Sequence, residues 1–285
     1  MASAFLPMAK FATAQPQASS PSGTPVVASA MRTHPGRVRG ENQDACATAP
    51  EHGIFVVCDG MGGAAAGELA SNLAVESFLH SIGNCAVASV EARRNRPSSP
   101  AILGPDHPQA RLEQAVRAAN LAVFQRAQKN RAFHGMGTTL VAALVQKDGA
   151  AHSAWIAHVG DSRCYLLRDG RFEQLTTDHS VVEEQIQAGF ITREQAEFSP
   201  VRNVITRAVG TQLTVPVDVG EQPLRPGDIL LLASDGLTRE LHDAEIANII
   251  AGHAPDLDRA CEALIQTANN HGGRDNITVL LIAYR

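Results

Sequence analysis

Four times in this chain an aspartate stands at the edge of an apolar run, and no other feature limits its fold so strongly. The runs IFVVCDG, WIAHVGD and ILLLASDG lead into Asp59, Asp161 and Asp235, and in GGRDNITVLLI the carboxylate of Asp275 comes first. Short, mainly apolar runs of about four to eight residues read as buried strands. A carboxylate beside such strands loses its hydration unless a cation or a hydrogen-bond network receives it. Carboxylates carried by separate strands can converge on one end of a sheet, and convergent hard oxygens suit Mg2+ or Mn2+. Asp-Gly is a common turn, and any one of these four aspartates alone is more often a turn or cap than a ligand. The recurrence is what favours a shared site.

The rest of the pattern agrees with a sheet-rich chain. Apolar runs predict strands over 24–31, 54–58, 139–146, 153–159, 163–168, 228–233 and 277–284. In 109–129, Leu112, Ala115, Val116, Ala119, Ala122 and Val123 follow the helical i, i+3, i+4, i+7 template. Further helices fit 68–82, 181–188, 192–197, 243–251 and 257–270, with Thr192 and Asp243 as N-caps. Strands crowd between residues 139 and 175 with only short turns, which favours antiparallel meanders over βαβ alternation, hence an α+β domain with helices covering sheets. Residues 1–23, rich in Ala, Ser, Pro and Gln, read as a flexible leader, and the four prolines in 95–109 mark a surface loop. Motifs fall on both sides of that loop, so residues 24–285 read as one domain.

Several chemistries are set aside by what the chain lacks. Its 24 basic and 29 acidic residues leave a net charge of −5, and lysine occurs only at Lys10, Lys129 and Lys147, so nucleic acid is not expected as a partner. No stretch reaches the roughly 18 to 20 apolar residues of a membrane span. Five cysteines without a CxxC read as reduced thiols in a cytoplasmic protein. There is no Gly-Lys pair for a P-loop, no HExxH and no GxSxG, and no cysteine is followed six residues later by arginine.

Two further segments add phosphate chemistry. DGMGGAAAGE (59–68) is either a phosphate nest or a tight strand-to-helix turn. RGENQDA (39–45) sets the guanidinium of Arg39 five residues before Asp44, and arginine suits bidentate phosphate recognition. With MGTTL (136–140), HVGDSRCYLLRDGRFEQLTTDHS (158–180), ASDGL (233–237) and GGRDNITV (272–279), these six motifs in this order resemble the bacterial members of the metal-dependent serine/threonine protein phosphatases of the 2C type.

That resemblance implies two packed, mainly antiparallel sheets flanked by helices, an α-β-β-α sandwich with metals at one end. It implies that Asp59 bridges two Mn2+ or Mg2+ ions, that the Gly60 carbonyl holds one, and that Asp235 and Asp275 hold the other. Asp44 would stand behind metal-bound water, Arg39 would bind the substrate phosphate, and Asp161 would help hold a third, weaker ion beside Asp235. The segment 180–207 corresponds to a flap. Catalysis would proceed by a hydroxide bridging the two metals, with no protein nucleophile. The chain departs from the family at Gln43, where Glu is frequent, at Met61, where eukaryotic members carry His, and at Asn203, where some relatives carry Ser. The implied activity is hydrolysis of phosphoserine and phosphothreonine in proteins, opposing a bacterial Ser/Thr kinase. A non-catalytic phosphoprotein-binding relative and a two-metal phosphodiesterase are the alternatives.

Overall fold

The computed structural model describes residues 27–93, 104, 106–148 and 151–285. The expected leader, residues 24–26 of the first expected strand, and residues 95–103 and 105 of the expected loop lie outside these. At the loop's far end Pro108 and Gln109 already belong to a helix, because His107 caps it and proline is well placed in a first turn.

Eleven strands are described: β1 (Val27–His34), β2 (Asp44–Ala49), β3 (Ile54–Met61), β4 (Gly137–Thr138), β5 (Leu140–Asp148), β6 (Ala151–Val159), β7 (Arg163–Arg168), β8 (Arg171–Gln174), β9 (Asp218–Leu224), β10 (Ile229–Ala233) and β11 (Ile277–Tyr284). The described helices are α1 (Ala64–Arg93), α2 (Pro108–Lys129), α3 (Val181–Gln187), α4 (Arg193–Glu197), α5 (Asp235–Thr238), α6 (Asp243–His253) and α7 (Leu257–His271). One sheet runs β1-β11-β10-β7-β8 and the other β2-β3-β5-β6-β9, with β4 beside β3, and the strand pairings are antiparallel.

The period of two along each strand sorts the apolar runs into layers. In β3, Phe55 and Val57 face the other sheet, whereas Ile54, Val56 and Cys58 face α1 and α2. In β11, Leu280, Ile282 and Tyr284 face inward, whereas Val279, Leu281 and Ala283 pack with Ile246, Ile250, Leu264 and Ala268 of α6 and α7. Both faces of these strands are therefore buried, which is why the runs are apolar throughout rather than alternating. Each fully buried Leu, Ile or Phe contributes about 1.5–3 kcal/mol.

Antiparallel pairing also decides where the aspartates meet. The end of β10 lies against the start of β11, with Ala233 opposite Val279, so Asp235 and Asp275 emerge together. Asp44 at the start of β2 lies opposite Asp59 near the end of β3. Asp161 sits in the short step from β6 to β7, where the chain crosses between sheets.

Candidate active site

The five aspartates converge at one end of the sandwich. Asp44 is nearly enclosed, and its Oδ2 accepts bonds from Ser234 Oγ (2.8 Å) and Thr278 Oγ1 (2.7 Å), one from each neighbouring strand end. Its Oδ1 has no hydrogen-bond partner among the described residues, and the same holds for Oδ1 of Asp235. Burial pushes the Asp44 carboxyl up to about 7, against the pull of Thr278 and Ser234, and the charges of Asp235 and Asp275 add to the rise. Asp59 is held well above the usual carboxylate range by burial and then by Asp44, Asp235, Asp161 and Asp275. Asp161 is raised to about 7 by burial and Asp235, with Arg239 acting the other way. Burial is the largest cause of each rise, and the five carboxylates outnumber the two arginines, Arg39 and Arg239, that pair with them.

The backbone around Asp59 is fixed from several sides. Its N–H donates to Thr139 Oγ1 (2.9 Å), its carbonyl accepts from Thr139 N (2.8 Å), and Thr139 Oγ1 lies 2.7 Å from Ser162 Oγ. Thr139 thereby ties Asp59 to the step that carries Asp161. A Cβ on Gly60 would lie 2.1 Å from the Gly67 carbonyl and 2.6 Å from that of Gln43, so only glycine permits this close approach. The Gln43 carbonyl is engaged by Gly60 N (3.2 Å) and Ser71 Oγ (2.6 Å).

Arg39 is half exposed and donates to Asp275 Oδ2 at 2.9 Å. Arg239, to which the sequence reading assigned nothing, pairs with Asp235 and reaches Asp161 Oδ2 at 3.5 Å and Asp275 Oδ2 at 3.7 Å. Asn276 is a second residue with no role readable from the sequence. Its Oδ1 accepts from Gln43 N (2.8 Å), and its Nδ2 donates to the carbonyls of Pro35 (3.0 Å) and Glu41 (2.9 Å), stitching the Arg39 loop onto the Asp275 turn. Ser234, Thr278 and Asn276 were present inside ASDGL and GGRDNITV, but one sequence carries no signal of which strand end each would face.

Donor chemistry fits divalent cations: hard carboxylate oxygens, two of them buried and unpartnered, in a group short of positive charge. Among the described residues, only one set of three His, Cys, Asp or Glu side chains has its donor atoms all within 4.8 Å of one another, and it lies elsewhere, in His158, His179 and Asp218. In that trio three of the four ring nitrogens are already engaged, and an arginine stands beside its carboxylate. Gly160 N–H donates to His179 Nδ1 (3.1 Å), so the ring proton sits on Nε2, which faces Asp218 Oδ2 at 3.2 Å. His158 Nε2 donates to the Thr177 carbonyl (2.8 Å), and Arg207 already brings positive charge to Asp218 at 2.8 Å. Gly160 holds a positive φ of 104°, open to glycine, and His179 N–H returns a bond to its carbonyl (3.0 Å). The segment from Ser180 to Arg207 closes on itself at this point, through Val181 N to the Val204 carbonyl (2.9 Å) and a bridge between Ser180 and Ile205. No described helix is long and apolar enough to cross a membrane.

Comparison with known proteins gives a consistent picture. The family model described as protein phosphatase 2C matches residues 37–281. The chain is 36% identical over 255 residues to a serine/threonine phosphatase stp of Listeria innocua, covering 88% of this chain and 94% of that protein. Among solved structures, the serine/threonine phosphatase PstP of Mycobacterium tuberculosis superposes with a TM-score of 0.76 at 34% identity, covering 90% of this chain and 98% of the other. The PstP catalytic domain in complex with two manganese ions gives a TM-score of 0.74 at 32% identity, with 92% and 99% covered.

Proposed function

The chain belongs to the protein phosphatase 2C family, and from that premise we propose that residues 24–285 form one catalytic domain hydrolysing phosphoserine and phosphothreonine in proteins. The observation that carries this reading is the pair of buried, unpartnered oxygens on Asp44 and Asp235 within five converging aspartates. Asp59, Asp235, Asp275 and the Gly60 carbonyl would hold two Mn2+ or Mg2+ ions. When bound, such ions supply Lewis-acid activation of a water and offset charge on the phosphoryl oxygens.

The chain's own residues do the rest. Asp44, its Oδ2 taken by Ser234 and Thr278, offers Oδ1 as a proton acceptor. Arg39, anchored on Asp275 by one of its five N–H groups, has others free to orient a phosphoryl group. Met61, at the end of β3, has no proton to give a leaving alkoxide. Asp161 borders Asp235, and the Arg239 guanidinium reaches both carboxylates. In this reading the substrates are cytoplasmic phosphoproteins and the counterpart is a Ser/Thr kinase of the same bacterium. The four described cysteines are free thiols, which supports a reducing compartment.

Phosphate release from a phosphothreonine peptide, an aryl phosphate and a phosphodiester, each with and without Mn2+, tests the proposal. Release from the first two alone, and only with Mn2+, is the expected result. Peptide binding without turnover would favour the non-catalytic alternative, and diester cleavage the phosphodiesterase.

A further inference from the structure

Arg239 is the cation that the aspartate cluster already owns. It follows Asp235 by four residues, and the helical path of α5 puts both on one face, with Arg239 N–H bonded to the Asp235 carbonyl at 2.9 Å. The guanidinium pairs with Asp235 Oδ2, lies 3.5 Å from Asp161 Oδ2 and 3.7 Å from Asp275 Oδ2, and is only 31% exposed. One charge thus touches carboxylates that arrive from three separate strand ends. It divides the oxygens of Asp235: Oδ2 faces Arg239, and Oδ1 is the buried oxygen without a partner among the described residues. A divalent ion at Asp235 Oδ1 is therefore compatible with Arg239 staying in place. An ion between Asp161 and Asp235 is not, since it would meet a tethered positive charge on the oxygens it needs.

We propose that Arg239 serves as the permanent cation at the Asp161 end of the cluster, joining Asp161 to Asp235 in place of a third divalent ion, so that the protein takes up two ions rather than three. The proposal rests on the two-ion reading of the site given above. Arg239 is a positioning residue here: it holds Asp235 so that one oxygen stays turned toward the cluster.

Counting bound Mn2+ by electron paramagnetic resonance, alongside melting curves of the metal-stripped full chain, tests this without reference to turnover. Wild type is expected to bind two ions. Arg239→Gln is expected to bind three, to return to two when combined with Asp161→Asn, and to melt several degrees lower when stripped, because it leaves partly buried carboxylates unpaired. Arg239→Lys keeps the charge and should stay at two. Should Arg239→Gln fail to fold, Asp161→Asn with Arg239 intact decides: two ions are expected, and a fall from three to two would overturn the proposal. Three ions on wild type would also overturn it, as would an Arg239→Gln protein with wild-type ion count and melting temperature. A wild type that binds no Mn2+ would instead remove the two-ion reading itself, and this inference with it.

Discussion

The aspartate cluster and the His158–His179–Asp218 trio hold metal-binding residue types side by side, joined through the Gly160–Asp161 step, yet they are opposite kinds of site. The trio is the tighter of the two, with donor atoms within 4.8 Å. Three of its four ring nitrogens are spent on Gly160, Thr177 and Asp218, and its charge is balanced by Arg207. The aspartates are more loosely gathered but keep buried oxygens unpartnered and proton affinities raised. Ligand type and proximity do not make a cation site. Unsatisfied lone pairs and a deficit of positive charge do.

The strongest way to break this contrast is to neutralise one aspartate. Asp59→Asn and Asp235→Asn should each lower Mn2+-dependent turnover by at least about 1000-fold. Wild-type turnover in either folded variant would remove that residue from the site. Arg39→Ala should reduce kcat/KM for a phosphopeptide by roughly 10- to 150-fold, the equivalent of about 1.5–3 kcal/mol in charge-assisted hydrogen bonds. An unchanged value would place the phosphate elsewhere.

The two regions should also respond to pH in opposite directions. Asp44 and Asp161 are raised from 3.8 to about 7 in the folded chain, so in metal-free solution their stabilising contribution is full below about pH 3.8 and lost as pH rises to about 7. His158 and His179 are held below their ordinary 6.5 by burial, so their contribution is full above that value and lost as pH falls. Divalent ions bind the ionised carboxylates, and the rise in melting temperature produced by Mn2+ should therefore grow from about pH 5.5 to about pH 7.5. A constant increment across that range would mean that the aspartates are not where Mn2+ acts. The smallest effect is expected from His179→Ala, which strands the Gly160 N–H and should cost about 1–3 kcal/mol of stability while leaving the normalised Mn2+ titration of turnover unchanged. A shifted titration would show that the trio reaches the metals after all.

Much of the architecture was legible because the inner strands are buried on both faces. The bounds of β7 and β11 coincide with the apolar runs read from the sequence, and those of β10 differ by one residue. The strands that escaped notice include β2, β8 and β9, all at sheet edges, where pairing on one side only tolerates the mixed composition of DACATA, RFEQ and DVGEQPL. Thr192 does cap α4 in a capping box, whereas α6 is preceded by His242 and Asp243 lies in its first turn. Helix α1 begins at Ala64, directly after Gly63, four residues before the apolar period is readable.

At the site, the sequence alone determined that carboxylates flank buried strands, and desolvation makes such positions costly unless something receives the charge. Which carboxylate oxygens remain without a partner is a different matter. Ser234 and Thr278 take Oδ2 of Asp44 and leave Oδ1, Arg239 takes Oδ2 of Asp235 and leaves Oδ1, and Asn276 ties the Arg39 loop to the Asp275 turn. Asp44 and its two partners stand 190 and 234 positions apart in the chain. Hydrogen bonds act over about 3 Å. Only the antiparallel stacking of two sheets brings those strand ends within that reach, so only the tertiary structure decided where the unmet charge would lie.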